Sequence, residues 1–439
     1  MSAILASPRA WPSILLARAG AHDPTDLDAA IKTGAFDGLR RAVRELGPDG
    51  TIHEVEASGL RGRGGAGHLT AAKWRAAAET PATRRYVVAN GYGADPSAST
   101  DRTLVETDPY AVIEGAAIAA FAIGAEDVYI SVRATATEAI GRLEAAVDAA
   151  TARNFIGDDA LGSGRRIEVT IRTVQGAYML GEETVLLKAL EGKRGQPEQR
   201  PPHPSERGLF GKPTVVQNVQ TLASVPWILV HRAKAFKEIG LGEAPGTILV
   251  DVRGHQRSGV AEVPLGTPLE RIIELGGKPG SGRTLKAVVV GGPTGGILPP
   301  SELSTPYTFA DLRAAGVHVG SGSVIVVDDR ACVVDLARLL TRFSADEACG
   351  KTIPCRIELR RIAEIGERLS TGTSRGGDLD LLTDLSADVV GSGLCDHERL
   401  ATLPMMSGLR YFRDELDAHL LRGECPAGVC SPTRLGATA

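Results

Sequence analysis

The sequence predicts an α/β protein in three parts, and three observations carry that reading. Strand-like and helix-like stretches alternate from a glycine-rich loop near residue 60 to about residue 235, which argues for a largely parallel sheet covered by helices. A Pro- and Gly-containing break at 240–246 then opens a strand-rich stretch built around one helix. After residue 327 the apolar spacing becomes helical, and all six cysteines lie there: Cys332, Cys349, Cys355, Cys395, Cys425 and Cys430. The expected order is an N-terminal segment (1–50), an α/β domain (51–240), a β-grasp-like module (241–327) and a helical bundle (328–439).

The chain of 439 residues is long enough for two or three domains with ample core. Its 49 basic and 53 acidic residues nearly balance and form no basic run, so nucleic acid is excluded as a main partner. No apolar stretch reaches the length of a membrane span, and residues 11–17 are too short and lack the cleavage pattern of a secretory signal. A soluble, cytoplasmic protein is expected. Cysteines confined to the tail of such a chain point to metal, an iron–sulfur cluster or redox chemistry rather than a disulfide framework.

In chain order, residues 35–46 show helical spacing, whereas 52–58 make no convincing strand. Strands are expected at 85–90, 127–132 and 167–172, with helices at 110–123 and 136–152. The module after the break has strands at 247–253, 259–264 and 286–291 around a helix at 269–275. Helices at 332–343, 356–370, 379–385 and 406–421 complete the tail.

The chemistry-bearing motifs begin at Gly59-Leu-Arg-Gly-Arg-Gly-Gly-Ala-Gly67, which runs into Lys73-Trp74. Closely spaced glycines let backbone N–H groups approach an anion, and Arg61, Arg63 and Lys73 supply positive charge. This reads as a phosphate cradle for a nucleotide or flavin. Gly62, Gly64 and Gly67 also satisfy G-x-G-x-x-G, but no strand precedes them and the next strand ends on Asn90 rather than an acid, so an ordinary Rossmann site is set aside. Residues 345–352 approach a P-loop pattern, yet Ala345 stands at the first glycine position and the segment follows a helix. Glu182 and Glu183, at a helix start, either cap that helix or accept hydrogen bonds from ribityl or ribose hydroxyls. Cys349 and Cys355, six apart, with Cys395 forty residues on, suit an iron–sulfur cluster or zinc, since both take thiolates in fours. Cys425 and Cys430 form either another half-site or two free thiols near the terminus.

These motifs resemble the NADH-binding flavoprotein subunit of respiratory complex I, with its counterparts in NAD-linked hydrogenases and formate dehydrogenases. The resemblance runs from about residue 29 to 430 and rests on 58–67, Lys73-Trp74, 176–184, 191–197 and 211–214. It implies an FMN-binding domain, a ubiquitin-like (SLBB-like) β-grasp domain and a helical iron–sulfur domain. It places Gly62, Arg63, Gly64, Gly65, Lys73, Asn90, Tyr178, Gly181, Glu182, Glu183 and Asn218 around FMN, with Glu182 and Asp95 as acids of the catalytic centre. It further implies hydride transfer from NADH to the flavin and single-electron passage to a cluster. The expected partner is a smaller iron–sulfur subunit or a ferredoxin, with the chain a peripheral part of a membrane-associated complex.

Departures from the family pattern are equally specific. After Asn90 most of the family's acids are missing and Asp95 remains; His68, Ala76 and His203 stand where the family has phenylalanines. Aromatic stacking contributes on the order of 1 kcal/mol per pair, so NADH binding is expected to weaken by about tenfold or more. In the family's Cys-Gly-x-Cys-x-x-Cys, the middle ligand is Thr352, leaving Cys349, Cys355 and Cys395. The open alternatives are a 4Fe-4S cluster with one weakly held iron, a three-iron cluster, no cluster, or donation by Cys332 or another distant cysteine. At the level of function, the alternatives are a flavoprotein reduced by another donor and a subunit without cofactors.

Overall fold

The computed structural model describes residues 3–277 and 279–430. Its first unit takes in the chain up to Val250 together with Val260–Gly266; the second takes in Asp251–Gly259 and the described residues from Thr267 onward.

The first unit is organised by an all-parallel sheet of β1 (Tyr86–Gly91), β2 (Asp127–Arg133), β3 (Glu168–Val174) and β4 (Thr214–Asn218), in the order β3-β2-β1-β4. Val87, Val88 and Ala89 of β1 are fully buried, as expected of a strand covered on both faces. The helix Pro109–Ile123 is buried along its whole length. It starts where the Asp108 side chain accepts from the Ala111 N–H and ends on Gly124 at φ 71°, the ordinary pairing of an N-cap acid with a C-terminal glycine. The helix Val219–Lys237 crosses it so closely that a Cβ on Gly115 would stand 2.0 Å from the Leu222 carbonyl oxygen.

The chain's beginning is built into this unit by two buried carboxylates. Glu262 accepts from the backbone N–H groups of Ile14, Leu15 and Leu16 at 2.7–2.9 Å. Glu114 accepts from Phe36 and Leu39 N–H at 2.8 and 3.1 Å. Residues 35–46 are helical as Asp37–Arg41 followed by a π turn, Ala42–Leu46. Residues 52–58, which made no convincing strand, belong to the helix Gly47–Ser58.

Beyond β4 come a short hairpin of β5 (Gly240–Leu241) and β6 (Ala244–Pro245), and a five-stranded sheet. The larger sheet orders β7 (Thr247–Arg253), β8 (Ser258–Pro264), β9 (Leu285–Val290), β10 (Gly296–Leu298) and β11 (Ser323–Asp328) as β10-β9-β11-β7-β8. β11 runs parallel to β7 and antiparallel to β9, the mixed pairing expected of a β-grasp-like module. The helix expected over 269–275 is Leu269–Ile273 plus a 3₁₀ turn.

The tail is helical: Val333–Asp346, Leu359–Thr371, Asp378–Ser392 and Leu403–Tyr411 pack Ile362, Leu369, Leu382, Val389 and Met405 into one core. The single helix expected over 406–421 is instead Leu403–Tyr411, Arg413–Asp417 and a π turn, Ala418–Arg422. Another π turn in the tail, Pro354–Glu358, opens the helix that follows it. Such turns concentrate at functional sites, and these two carry His419 and Cys355.

Candidate functional site: a switch-point crevice and two thiol groups

In the order β3-β2-β1-β4 the chain builds outward from β1 in one direction and then places β4 on its other side. Open parallel sheets bind ligands at such a switch point, beyond the carboxyl ends of the two strands. Asn90 ends the pairing of β1 with β4 and lies in register with Asn218, the last residue of β4, so two expected site residues flank the switch point. The glycine loop arrives beside them. A Cβ on Gly64 would come 3.3 Å from Asn218 Cβ, while Gly65 and Gly67 have φ of 106° and 69°. Those conformations favour glycine, and that approach leaves little room for a side chain at Gly64. Gly64 is solvent-exposed, leaving its backbone open to a ligand.

The rest of the constellation is tied together by side chains. Asn90 Nδ2 donates to the Gly181 carbonyl at 3.1 Å. Gly181 is itself tight, because a Cβ would meet Ala94 Cβ at 3.0 Å. Asn218 Oδ1 accepts from Gln220 N–H, capping the helix Val219–Lys237, and its Nδ2 donates to Asp101 at 2.7 Å. Tyr178 lies on the 3₁₀ turn Tyr178–Gly181 that leads into the pair of glutamates.

Glu182 is the N-cap of the helix Glu183–Leu190, accepting from Thr184 and Val185 N–H at 2.8 and 2.9 Å and pairing with Arg200. Glu183 pairs with Lys73 Nζ at 2.6 Å and with Arg200 at 3.2 Å. Burial works against its charge, but Lys73 and Arg200 outweigh it and hold its carboxyl below the usual range. The capping that the sequence offered as one alternative for this pair is made by Glu182, while Glu183 anchors Lys73.

Two residues occupy places their sequence pattern did not suggest. Arg63, expected beside an anion, is 1% exposed and gives its guanidinium to the backbone carbonyls of Arg61, Pro245 and Thr247 at 2.6–2.9 Å. Burial, then the neighbouring Arg61 charge, pulls its pKa well below the usual range. It fixes the loop rather than offering a free cation, and nothing local in the sequence announces partners more than 180 positions away. Asp95 is buried, its Oδ1 accepting from Ser97 N–H and Oγ at 2.8 and 2.6 Å, an Asx turn in the loop after β1. His68 and His203 are exposed.

The tail sorts the cysteines into two groups. Cys349 hydrogen-bonds to Cys355, which holds Cys349 below the usual thiol range and pushes Cys355 up. Thr352 accepts from Cys355 N–H at 3.2 Å and donates to Glu398, and Cys395 Sγ lies 3.9 Å from the other oxygen of that carboxylate. The second group is Cys332, His419, Cys425 and Cys430, whose ligand atoms all lie within 4.8 Å of one another. Cys332 Sγ is 3.5 Å from both His419 Nε2 and Cys430 Sγ. His419 Nδ1 lies 2.8 Å from the Glu415 carbonyl oxygen; donating there, it leaves Nε2 as a lone pair directed at the thiols. Sequence reasoning noticed Cys425 and Cys430 but missed Cys332 and His419 as their partners. The spacing His419-x₅-Cys425-x₄-Cys430 was the available signal.

Comparison with known proteins agrees with this geometry. Residues 55–227 match the family model described as the Nuo51 FMN-binding domain, and residues 335–419 match the NADH-ubiquinone oxidoreductase-F iron-sulfur binding region. The F 2 component of the NADH-quinone oxidoreductase of Rhizobium meliloti is 38% identical over 90% of this chain and 94% of its own length. The NADP-reducing hydrogenase subunit HndC of Solidesulfovibrio fructosivorans is 37% identical, with 94% of this chain and 84% of its own covered. A crystal structure of an NAD+-reducing [NiFe]-hydrogenase in the H2-reduced state superposes with TM-score 0.82 at 30% identity, covering 96% of this chain and 68% of that one. The crevice, the cysteine-bearing tail and these likenesses place the chain in the family of F-type flavoprotein subunits of NADH-quinone oxidoreductases and their hydrogenase counterparts.

Proposed function

We propose that this chain takes a hydride from NADH onto FMN held at the switch-point crevice and passes electrons singly to an iron–sulfur cluster and on to a partner subunit. The observation that carries the reading is the convergence of Gly64, Asn90, Gly181 and Asn218 at the ends of β1 and β4, with Lys73 held alongside by Glu183. A bound flavin supplies acceptance of two electrons together and their release one at a time. The protein's part is positional. The loop glycines allow close backbone approach to a phosphate, Lys73 adds a cation, and Asn90 and Asn218 offer amides where a ring system or ribityl chain would lie. The proposed partner is an iron–sulfur subunit or a ferredoxin, in keeping with relatives named as subunits of a hydrogenase and of NADH-quinone oxidoreductases, and the cytoplasm remains the proposed compartment. Among the described residues no helix is long and apolar enough to cross a membrane.

The exposed histidines His68 and His203, standing where aromatic stacking partners are expected, favour a second reading in which the flavin is reduced by a donor other than NADH. Anaerobic mixing of the FMN-loaded chain with NADH, and separately with a reduced ferredoxin, tells the two apart. Flavin reduction by NADH supports the first reading; reduction by ferredoxin alone supports the second.

For the group of Cys332, His419, Cys425 and Cys430 we propose one structural zinc ion. Three thiolates and an imidazole are a zinc donor set, and a Zn–S bond of about 2.3 Å puts tetrahedral ligands about 3.8 Å apart, near the 3.5 Å contacts found here. A multi-iron cluster holds its thiolates on different irons and therefore farther apart. Metal analysis is expected to give about one zinc per chain, lost in Cys430→Ser with the iron content unchanged. Iron in place of zinc at this group, or retention of the zinc by Cys430→Ser, contradicts the assignment.

A further inference from the structure

Four-iron clusters are held by four protein ligands, usually thiolates, but the region 335–419 that matches the iron–sulfur family model holds only Cys349, Cys355 and Cys395. The remaining three cysteines are gathered with His419 in a group of their own, which removes Cys332 as a donor to the cluster. The hydroxyl of Thr352, in the position of the absent thiol, is neutral at physiological pH and a poor ligand for iron.

The geometry directs attention one contact further. Thr352 Oγ1 donates to Oε1 of Glu398, a residue only 1% exposed. Oε2 of the same carboxylate accepts from Leu394 and Cys395 N–H at 2.6 and 3.3 Å and lies 3.9 Å from Cys395 Sγ. One buried carboxylate is therefore neighbour to Cys395 and bonded to the residue in the empty ligand position, which itself accepts from Cys355 N–H. A buried carboxylate is costly unless it is paired or binds metal, and its partners here are a hydroxyl, two amides and a thiol. Of the other polar groups in this part of the tail, Glu358 shares a hydrogen bond with Asp388, and His397 Nε2 lies 2.9 Å from the Ser344 carbonyl oxygen.

We propose that Glu398 is the fourth ligand of this chain's cluster, its carboxylate oxygen taking the iron that a thiolate would otherwise hold, with Thr352 as the positioning residue that aims it. The inference rests on the reading that the region 335–419 carries a cluster. Oxygen ligation makes one iron chemically distinct from its three thiolate-bound neighbours and the most readily lost.

The test uses the full chain, purified and reconstituted anaerobically with iron and sulfide, and reads iron content, paramagnetic resonance and ⁵⁷Fe Mössbauer spectra. The wild type is expected to hold about four irons in the cluster, one of them distinct in the Mössbauer spectrum. Glu398→Gln should fall to about three irons and show a three-iron signal when oxidised, and adding Thr352→Cys should restore the fourth. Thr352→Ala should keep the fourth iron but hold it less tightly against a chelator. A Glu398→Gln protein with four irons and an unchanged reduced signal overturns the assignment, as does a wild type whose cluster already has three irons. If Glu398→Gln fails to fold, the wild-type Mössbauer spectrum decides, and four equivalent iron sites overturn the proposal. A wild type that takes up no cluster iron refutes the underlying cluster reading instead.

Discussion

At the scale of single residues, this protein uses buried carboxylates as fastening points, and the titration of Glu114 should be visible in its stability. Glu114 is fully buried, and burial pushes its carboxyl up to about 7 against an ordinary 4.5, with the Arg18 charge and the Phe36 and Leu39 amides acting in the opposite direction. Between those two values the folded chain holds a proton that the unfolded chain has released. Linkage then makes stability fall as pH rises from about 4.5 through about 7, and level off above. Glu114→Gln keeps an acceptor but cannot ionise, so denaturant unfolding across that window should show a shallower pH slope than the wild type. An identical slope would mean that Glu114 does not carry the effect.

The same scale shows how unevenly the site could be read from sequence. Gly64, Asn90, Gly181 and Asn218 were legible through the family motifs the chain resembles, with the glycine loop also readable on its own, and the structure brings them together. Arg63 was legible as a cation but not as a clamp, since its acceptors at Pro245 and Thr247 are supplied by tertiary folding. Glu398 was illegible for the same reason: its link to Thr352 spans 46 positions.

At the scale of elements, the three strands and two helices expected between 85 and 172 were read within a residue or two, because their apolar runs are long and bounded by turns, whereas the short helix Thr100–Thr107 was missed. The helix Gly47–Ser58 was not, since Gly47-Pro48-Asp49-Gly50 looks like a turn and the helix takes Pro48 into its first turn. The helix Val219–Lys237 hides behind Pro226, a residue that ordinarily breaks helices. Its packing makes the sharpest element-scale prediction. Gly115→Ala would drive a methyl group into the Leu222 backbone, where no side-chain rotation relieves it. A loss of about 1–3 kcal/mol or more is expected, measured by denaturant unfolding. Unchanged stability would show that the two helices separate readily.

At the scale of the whole molecule, the sequence divides its chemistry between two units: the first carries the crevice and the second both thiol groups. The six cysteines looked like one cluster with spare thiols because sequence distance groups Cys349 with Cys355 and Cys425 with Cys430. Folding adds Cys332 and His419 to the second pair and Glu398 to the first. This leaves the flavin crevice as the feature on which the functional account depends. The most direct measurement is an anaerobic titration of the FMN-loaded chain with NADH, followed at the flavin absorption band and by the paramagnetic signal of the cluster. The account predicts bleaching of the flavin band together with appearance of a reduced-cluster signal. Bound FMN that stays oxidised at millimolar NADH would contradict it.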